Sequence, residues 1–138
     1  NAFDADGSDE WSVRSGHERR KRAFRTRDLI ESGAILSLGS DWMVAPYDPR
    51  IGMAWSRLRR PGGAVGKGKI NPAQALTGDE ALAGYTTEAA RIVSEKDFSG
   101  RIKVGYRGDL TAFAADPVEC DPDALLELPI PKIAVARR

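Results

Sequence analysis

The spacing of hydrophobic residues changes from helical to strand-like within the first third of the chain. Ser15-Gly16-His17-Glu18 is typical of a capping box, and the pattern predicts a helix from there to about Ser32, with Gly33 as its left-handed end. The next residues, Ala34-Ile35-Leu36-Ser37-Leu38-Gly39, form a short apolar run with the composition of a buried strand. A helix, a glycine turn and a buried strand in this order indicate an α/β fold with a parallel sheet.

Two further helical regions are predicted in the middle of the chain. Apolar residues recur at helical spacing after Pro49, up to a break at Pro61-Gly62. Another helix begins at the capping box Thr77-Gly78-Asp79-Glu80. Gly84 and the pair Thr86-Thr87 predict that this helix is divided in two, with a threonine capping the second part.

The last third of the chain changes to strand patterns. Residues 100–105 and 109–114 are predicted as short strands around the turn Gly105-Tyr106-Arg107-Gly108, and residues 130–135 as a last strand. We therefore divide the chain into the end of an α/β layer, residues 1–98, and a small β appendix, residues 99–138.

Composition narrows the classes of protein that these elements can form. The chain has 138 residues, of which 41% are hydrophobic and 30% charged, with a net charge of +1. These values indicate one globular unit, and no run reaches the ~18 apolar residues of a membrane span. The first residues also lack the order of a secretory signal, so we expect a cytoplasmic protein that does not bind membranes. Because the chain begins with Asn1 rather than Met, we expect it to lie within a longer protein or to carry a tag remnant.

The scarcity of cysteine and histidine limits the chemistry further. Cys120 is the one cysteine in the sequence and His17 the one histidine. An internal disulfide is excluded, and a complete zinc site needs about three to four ligands that the sequence does not supply. His17 lies in the first turn of a predicted helix, where a solvated or packing role is the more common one.

Basic residues are concentrated between positions 19 and 27. Such a cluster can neutralise nucleic-acid phosphates, and a stand-alone regulatory or partner-binding module using the basic helix 17–32 is our second functional hypothesis. Charges spread over several helical turns point in all directions, however, and Phe24 is the one aromatic residue among them. A solvated helix face is therefore the favoured interpretation, and nucleic acid is not an expected partner.

Asp41 is the strongest candidate for a catalytic residue. It follows the predicted strand 34–39 and precedes the loop Met43-Val44-Ala45-Pro46-Tyr47-Asp48-Pro49. The carboxyl ends of parallel strands are where α/β proteins build their sites, and a carboxylate there can bind a metal or accept a proton. The alternative is that Asp41 caps the following turn through its own backbone. Trp42, its neighbour, is a candidate for the wall of a substrate pocket.

Three motifs in one order resemble a known family. They are Leu36-Ser37-Leu38-Gly39-Ser40-Asp41-Trp42-Met43-Val44-Ala45-Pro46; Ala75-Leu76-Thr77 with Glu80-Ala81-Leu82 and Tyr85-Thr86, followed by Ala89-Ala90; and Gly100-Arg101-Ile102 with Gly105-Tyr106 and Asp109-Leu110-Thr111. In this order they closely resemble the C-terminal part of metal-dependent amidohydrolases, and within that superfamily the N-substituted formamide deformylase-like branch.

The resemblance implies a (β/α)8 TIM barrel of which this chain supplies only the terminal part. Residues 1–98 would hold the last helix, strand 8 and the following helices, and residues 99–138 part of the flanking composite β-sandwich. The length agrees, because a complete barrel takes about 250 residues. The rest of the barrel is then the expected partner, and the chain alone is expected to be inactive and to self-associate.

The resemblance also implies the chemistry. Asp41 matches the aspartate at the end of strand 8, which in the family binds the metal and shuttles the proton of the attacking water. The expected cofactor is a divalent metal, with zinc as the first choice, and its remaining ligands lie outside this chain. The expected substrate is a small molecule with a non-peptide, amide-like C–N bond, hydrolysed by metal-activated water.

Overall fold

Short helices dominate the part of the chain, residues 7–136, that the computed structural model describes. The α-helices are α1 (Glu10–Ser15), α2 (His17–Arg20), α3 (Thr26–Glu31), α4 (Pro49–Leu58), α5 (Gly78–Tyr85) and α6 (Thr87–Ile92), and single turns of 3-10 helix span Pro72–Gln74 and Ala124–Glu127. Strands β1 (Leu110–Ala112) and β2 (Lys132–Ala134) pair antiparallel, with Thr111 opposite Ile133. No helix within residues 7–136 has the length and apolar character needed to cross a bilayer.

The predicted continuous helix from Ser15 to Ser32 is wrong. Ser15 is instead the last residue of α1, and Gly16 turns the chain with φ +75° before α2 begins. A second interruption follows at Phe24, whose φ of +51° is also outside the helical range. The predicted end is confirmed, because Gly33 has φ +84° and the Ala34 amide donates to the Leu29 carbonyl over 3.0 Å, a contact typical of a left-handed helix end.

The predicted helices in the middle of the chain are confirmed. The Asp48 carboxylate caps α4 by accepting from the Arg50 amide at 2.9 Å. The capping box at the start of α5 is complete, since the Thr77 amide donates to Glu80 at 2.7 Å and the Glu80 amide donates to Thr77 Oγ1 at 3.2 Å. The break falls at Thr86 as predicted, but the Thr86 hydroxyl donates back to the Leu82 carbonyl rather than capping α6.

The core of the described residues lies between α4, α5 and the last 3-10 turn. Met53 and Ala54 of α4, Ala81 of α5 and Leu125 of the 3-10 turn are all 2% exposed or less. The appendix 99–138 therefore contributes Leu125 to the same core as the helices. Close packing also requires Gly78, because a Cβ atom there would lie 2.3 Å from the Val118 carbonyl oxygen.

Residues 34–39 belong to no helix or strand, so the predicted strand is not formed within residues 7–136. A strand exists only when a neighbour completes its hydrogen-bonded ladder, and within residues 7–136 the one sheet is the β1–β2 pair. The segment 34–39 is held instead by a hydrogen bond from the Leu38 amide to the Gly84 carbonyl at 3.0 Å. For the same reason residues 100–105 form no strand, whereas the centres of the predicted strands 109–114 and 130–135 are β1 and β2.

An ion pair fastens α3 to the start of α5. Arg27 Nη1 and Nη2 donate to the two carboxylate oxygens of Glu80 at 2.5 and 2.6 Å, and Nη2 also donates to the Ala75 carbonyl. Both side chains are about three-quarters buried. The Arg27 hydrogen bonds, supported by those of Thr77, hold the pKa of Glu80 at about 2, against an ordinary value of 4.5.

Replacing the charge of Glu80 should destabilise the fold in a pH-dependent way. Because the pKa of Glu80 is lower in the folded than in the unfolded chain, the carboxylate stabilises the fold above pH 4.5, and this contribution is lost as the pH falls toward 2. We expect Glu80→Gln to lower the free energy of unfolding by about 1–3 kcal/mol at pH 7 and by little near pH 2. Urea unfolding at both pH values measures this. Glu88→Gln, whose pair with Arg91 is a looser 3.6 Å, is the control and should change stability little at either pH.

Adding a branched side chain at Gly84 should displace the segment 34–39. A Cβ atom at Gly84 would lie 2.8 Å from Leu38 Cγ, closer than real side chains pack. We expect Gly84→Val to lower the free energy of unfolding by about 1–3 kcal/mol, as overpacking does. Gly108→Val is the matched control, because no atom lies within 4 Å of a Cβ there. Equal stability of the two variants in urea unfolding would contradict the close packing at Gly84.

Candidate functional site

Asp41 follows the segment 34–39 after one intervening residue, Ser40, and stands at the start of a tight turn. The Val44 amide donates to the Asp41 carbonyl at 2.7 Å, and the Ala45 amide donates to the Ser40 carbonyl at 3.1 Å. The backbone of Asp41 has φ +49°, a conformation that aspartate tolerates better than most residues. The sequence predicted a buried strand before Asp41, but residues 34–39 form no strand within residues 7–136 and are exposed or half-buried. That Asp41 stands at the end of a strand stays a prediction.

The side chain of Asp41 is exposed and takes no part in the turn. Within residues 7–136 its carboxylate makes no hydrogen bond and no ion pair, and the turn is closed by the backbone, since the Asp41 carbonyl accepts from the Val44 amide at 2.7 Å. The backbone cap that was the alternative for Asp41 is therefore present, and it does not occupy the carboxylate. A carboxylate without a neighbouring cation keeps all of its lone pairs for a ligand. The geometry therefore leaves Asp41 able to coordinate an ion or accept a proton.

Both ends of the loop that carries Asp41 are fastened to the helical core. The incoming segment is fixed by the bond from Leu38 to Gly84. At the outgoing end, Asp48 forms an ion pair with Arg50 at 2.5 Å, and Arg50 Nη1 donates to the Leu128 carbonyl at 2.8 Å. The hydrogen bond from the Arg50 side chain lowers the pKa of Asp48. Residues 39–47 thus form a loop whose two ends are held by polar contacts while its side chains face outward.

Trp42 lies beside Asp41 with its ring largely exposed. The ring meets Tyr47 edge to face, with centroids 5.4 Å apart and an interplanar angle of 88°. Trp42 is 64% exposed, and Met43 and Val44 next to it are exposed as well. An apolar surface therefore adjoins the carboxylate. Whether Trp42 lines a substrate pocket stays a prediction.

The structure does not bring His17 or Cys120 together with Asp41 in a metal-binding group. His17 lines a small cavity with Arg20, Lys21 and Lys69, where cationic side chains disfavour a bound cation. Cys120 donates its thiol to the Pro117 carbonyl at a sulfur–oxygen distance of 3.6 Å. Neither residue adds a ligand to Asp41.

The residues at hand do not by themselves fit a divalent metal. Across residues 7–136 there is no group of three or more His, Cys, Asp or Glu side chains close enough to hold an ion. Catalytic zinc requires about three protein ligands, and Asp41 supplies one carboxylate. The described chain therefore offers at most a single ligand of such a site.

Sequence reasoning missed two features of the loop. The pairing of Tyr47 with Trp42 has no sequence pattern, because it depends on how the turn folds. The cap of α4 by Asp48 was detectable, since an aspartate directly before a proline is a common helix start. The predicted helix after Pro49 was therefore placed correctly, but the residue that fixes its start was not identified.

Comparison with known proteins supports the resemblance. The model of the amidohydrolase family matches residues 2–132. Amidohydrolase YtcJ of Bacillus subtilis (strain 168) is 33% identical over 126 residues, which cover 91% of this chain and 24% of that protein. N-substituted formamide deformylase of Arthrobacter pascens is 30% identical over 117 residues, covering 85% of this chain and 21% of that protein.

The chain thus spans less than a quarter of the length of these two relatives. No solved structure matches it at a comparable level. Both relatives align with most of the chain, and the range that the family model matches, residues 2–132, spans the positions of Asp41 and Thr77. The chain belongs to the amidohydrolase family.

Proposed function

We propose that this chain is the C-terminal part of a hydrolase that cleaves an amide-like, non-peptide C–N bond in a small molecule. The observation that carries the proposal is the family match over residues 2–132, which includes the unpaired carboxylate of Asp41. The relative named N-substituted formamide deformylase agrees in reaction class. Under this proposal the catalytic centre needs groups beyond the residues described here.

Asp41 is the proposed proton carrier. Hydrolysis of an amide requires water to lose a proton as its oxygen attacks the carbonyl carbon, and the nitrogen must gain a proton as the C–N bond breaks. An exposed carboxylate with no ion-pair partner within residues 7–136 is suited to take the first proton and deliver it to the nitrogen. The adjacent ring of Trp42 offers an apolar surface for the substrate next to this carboxylate.

The proposed cofactor is a divalent metal, with zinc as the first choice. When bound, such an ion lowers the pKa of a coordinated water toward ~7 and polarises a carbonyl group. Because residues 7–136 contain no complete set of ligands, Asp41 would contribute one, and the others would come from elsewhere in the full-length protein.

We also propose a division of the chain within the larger fold. Residues 1–98 would close a (β/α)8 barrel, with 34–39 as a strand once its neighbours complete the ladder, and residues 99–138 would join a flanking β-sandwich. Two features support this division. The segment 34–39 forms no helix and has no strand partner within residues 7–136, and β1 and β2 both lie in the appendix.

The second hypothesis, a stand-alone module that binds partners through the basic helix 17–32, has weaker support. Residues 17–32 form two short helices, α2 and α3, with a turn between them. Lys21 forms an ion pair with Glu18, and Arg25 forms one with Asp28, each three residues away in the sequence. The match to the amidohydrolase family favours the hydrolase over this module.

Removing the charge of Asp41 should abolish turnover. In the full-length protein we expect Asp41→Asn to lower kcat by a factor of about 100 or more, the usual contribution of a general acid–base group. The measurement is the rate at which formate is released when the protein hydrolyses an N-substituted formamide. Turnover of the unsubstituted protein should also stop with a chelator and return with zinc.

Asp79→Asn is the matched control for this test. Asp79 is an exposed aspartate in the first turn of α5, so the change removes the same charge away from the loop. Its kcat should stay within about twofold of the unsubstituted protein, as is usual for exposed positions. Full activity of Asp41→Asn would exclude Asp41 as the proton carrier.

The isolated chain should self-associate through exposed apolar surface. Ile102, Val104 and Val135 are between 77% and 100% exposed, and burying such side chains is favourable. We expect the molar mass measured by light scattering after size exclusion to rise with protein concentration. This rise should persist at high salt. Val104→Ser should reduce the rise, whereas Lys103→Ser should not. A monomer at every concentration would contradict this expectation.

A further inference from the structure

Two neighbouring cavities beside α5 and α6 share part of their walls. The larger, of about 830 Å³, lies between the C-terminal end of α5 and the segment that leads into and follows β1. The smaller, of about 350 Å³, lies between α6 and the turn that follows it. Thr87, Ser99 and Arg101 line both. The two cavities therefore adjoin along these three residues, and together they are called the cleft. Its larger part falls in the size range of about 300–1,000 Å³ that is usual for small-molecule sites.

The larger part of the cleft is mainly apolar. Its apolar lining residues are Leu82, Ile102, Leu110 and Phe113. Ile102 is 90% exposed and Leu110 42% exposed, so both present hydrophobic surface to the opening. A hydrocarbon chain placed there would remove this surface from water, which is favourable.

The smaller part of the cleft is polar and carries an excess of positive charge. Arg91, Lys96 and Arg101 face the acids Glu88 and Asp97. The pairs formed by Arg91 with Glu88 and by Lys96 with Asp97 are long, at 3.6 and 3.8 Å, and mostly exposed, so they hold these groups weakly. Arg101 makes no hydrogen bond or ion pair with any residue between 7 and 136.

The other charged residues of the larger part already have partners. Arg107 pairs with Glu95 at 2.8 Å and lies over the ring of Phe98. Asp109 accepts from the Ala136 amide, and Asp116 accepts from the Val118 amide, each at 2.8 Å. Arg101, at the border between the apolar and polar parts, is thus the charged group of the cleft best placed to receive a ligand.

We propose that this cleft binds an anionic amphiphile: a carboxylate whose alkyl or aryl chain lies along Ile102 and Phe113 while its head pairs with Arg101. A guanidinium matches a carboxylate with two parallel hydrogen bonds, which gives the head a defined position. An uncharged apolar segment of protein covering the cleft would instead bury Arg101 without a partner, which is costly. Across both parts the lining holds four basic and four acidic side chains, so it is the unpaired guanidinium of Arg101, and not the total charge of the cleft, that favours the anionic amphiphile. This site does not depend on the proposed hydrolase activity.

Decanoate, decanol and acetate separate the contributions of head and chain. Calorimetric titration of the full chain is carried out at a concentration where size exclusion shows a single species and below the critical micelle concentration of the ligand. We expect one decanoate per chain, bound at least tenfold more tightly than decanol, and no measurable binding of acetate. Equal affinity for decanoate and decanol would overturn the role of Arg101. No saturable binding of either would overturn the cleft as a site, and is the outcome expected if another polypeptide covers it.

Two substitutions and one control locate the bound molecule. Arg101→Gln should weaken decanoate binding about tenfold and leave decanol unchanged, because it removes only the charge that pairs with the head. Ile102→Ser should weaken the binding of both ligands. Because the Ile102 side chain is exposed, the change should leave the fold intact. Lys132→Gln, which removes the same charge from exposed strand β2, should change neither. Equal effects of Arg101→Gln and Lys132→Gln would show that only net charge matters, and would overturn the proposal.

Discussion

The hydrogen bond from the Leu38 amide to the Gly84 carbonyl is the constraint on which the position of Asp41 depends. Carbonyl groups in the last turn of a helix lack partners within that helix, and Gly84 lies in the last turn of α5. Because α5 ends at the break at Thr86, the Gly84 carbonyl is available to accept from the segment 34–39. The absence of a side chain at Gly84 allows the approach. The helix end thus substitutes for one strand neighbour.

The same helix is fixed at its other end by charge. Glu80 receives the Arg27 guanidinium and closes the capping box with Thr77, so a single carboxylate orders the start of α5 and joins it to α3. A second contact supports this junction, since the Gln74 amide nitrogen donates to Asp28 at 2.9 Å. Helix α5 is therefore held on both sides, by α3 at its start and by segment 34–39 at its end. The segment before Asp41 is thus bonded to a helix that polar contacts hold at both ends and that the apolar core holds through Ala81.

Local features of the fold could be predicted from the sequence, and longer-range ones could not. The capping box at Thr77 and the glycine end at Gly33 depend on residues a few positions apart, and both are confirmed. The helix across Gly16 and Phe24 was predicted wrongly because charge and apolar spacing do not reveal a positive φ at a residue such as phenylalanine. A strand at 34–39 needs partners that lie far away in sequence. Two other contacts likewise join residues about fifty positions apart in the sequence. They are the hydrogen bond between Leu38 and Gly84 and the ion pair of Arg27 with Glu80.

Two exposed apolar surfaces of the chain differ in a way that decides what each can accept. Beside Asp41, the rings of Trp42 and Tyr47 adjoin a carboxylate and no cation pairs with it within residues 7–136, so an anionic ligand would be repelled there. In the cleft beside α6, Ile102 adjoins the unpaired guanidinium of Arg101, so an anion is attracted. Hydrophobic surface supplies affinity in both places, but the neighbouring charge sets the class of ligand. The two surfaces are therefore expected to bind different molecules, a cation or a neutral amide at the first and an anionic amphiphile at the second.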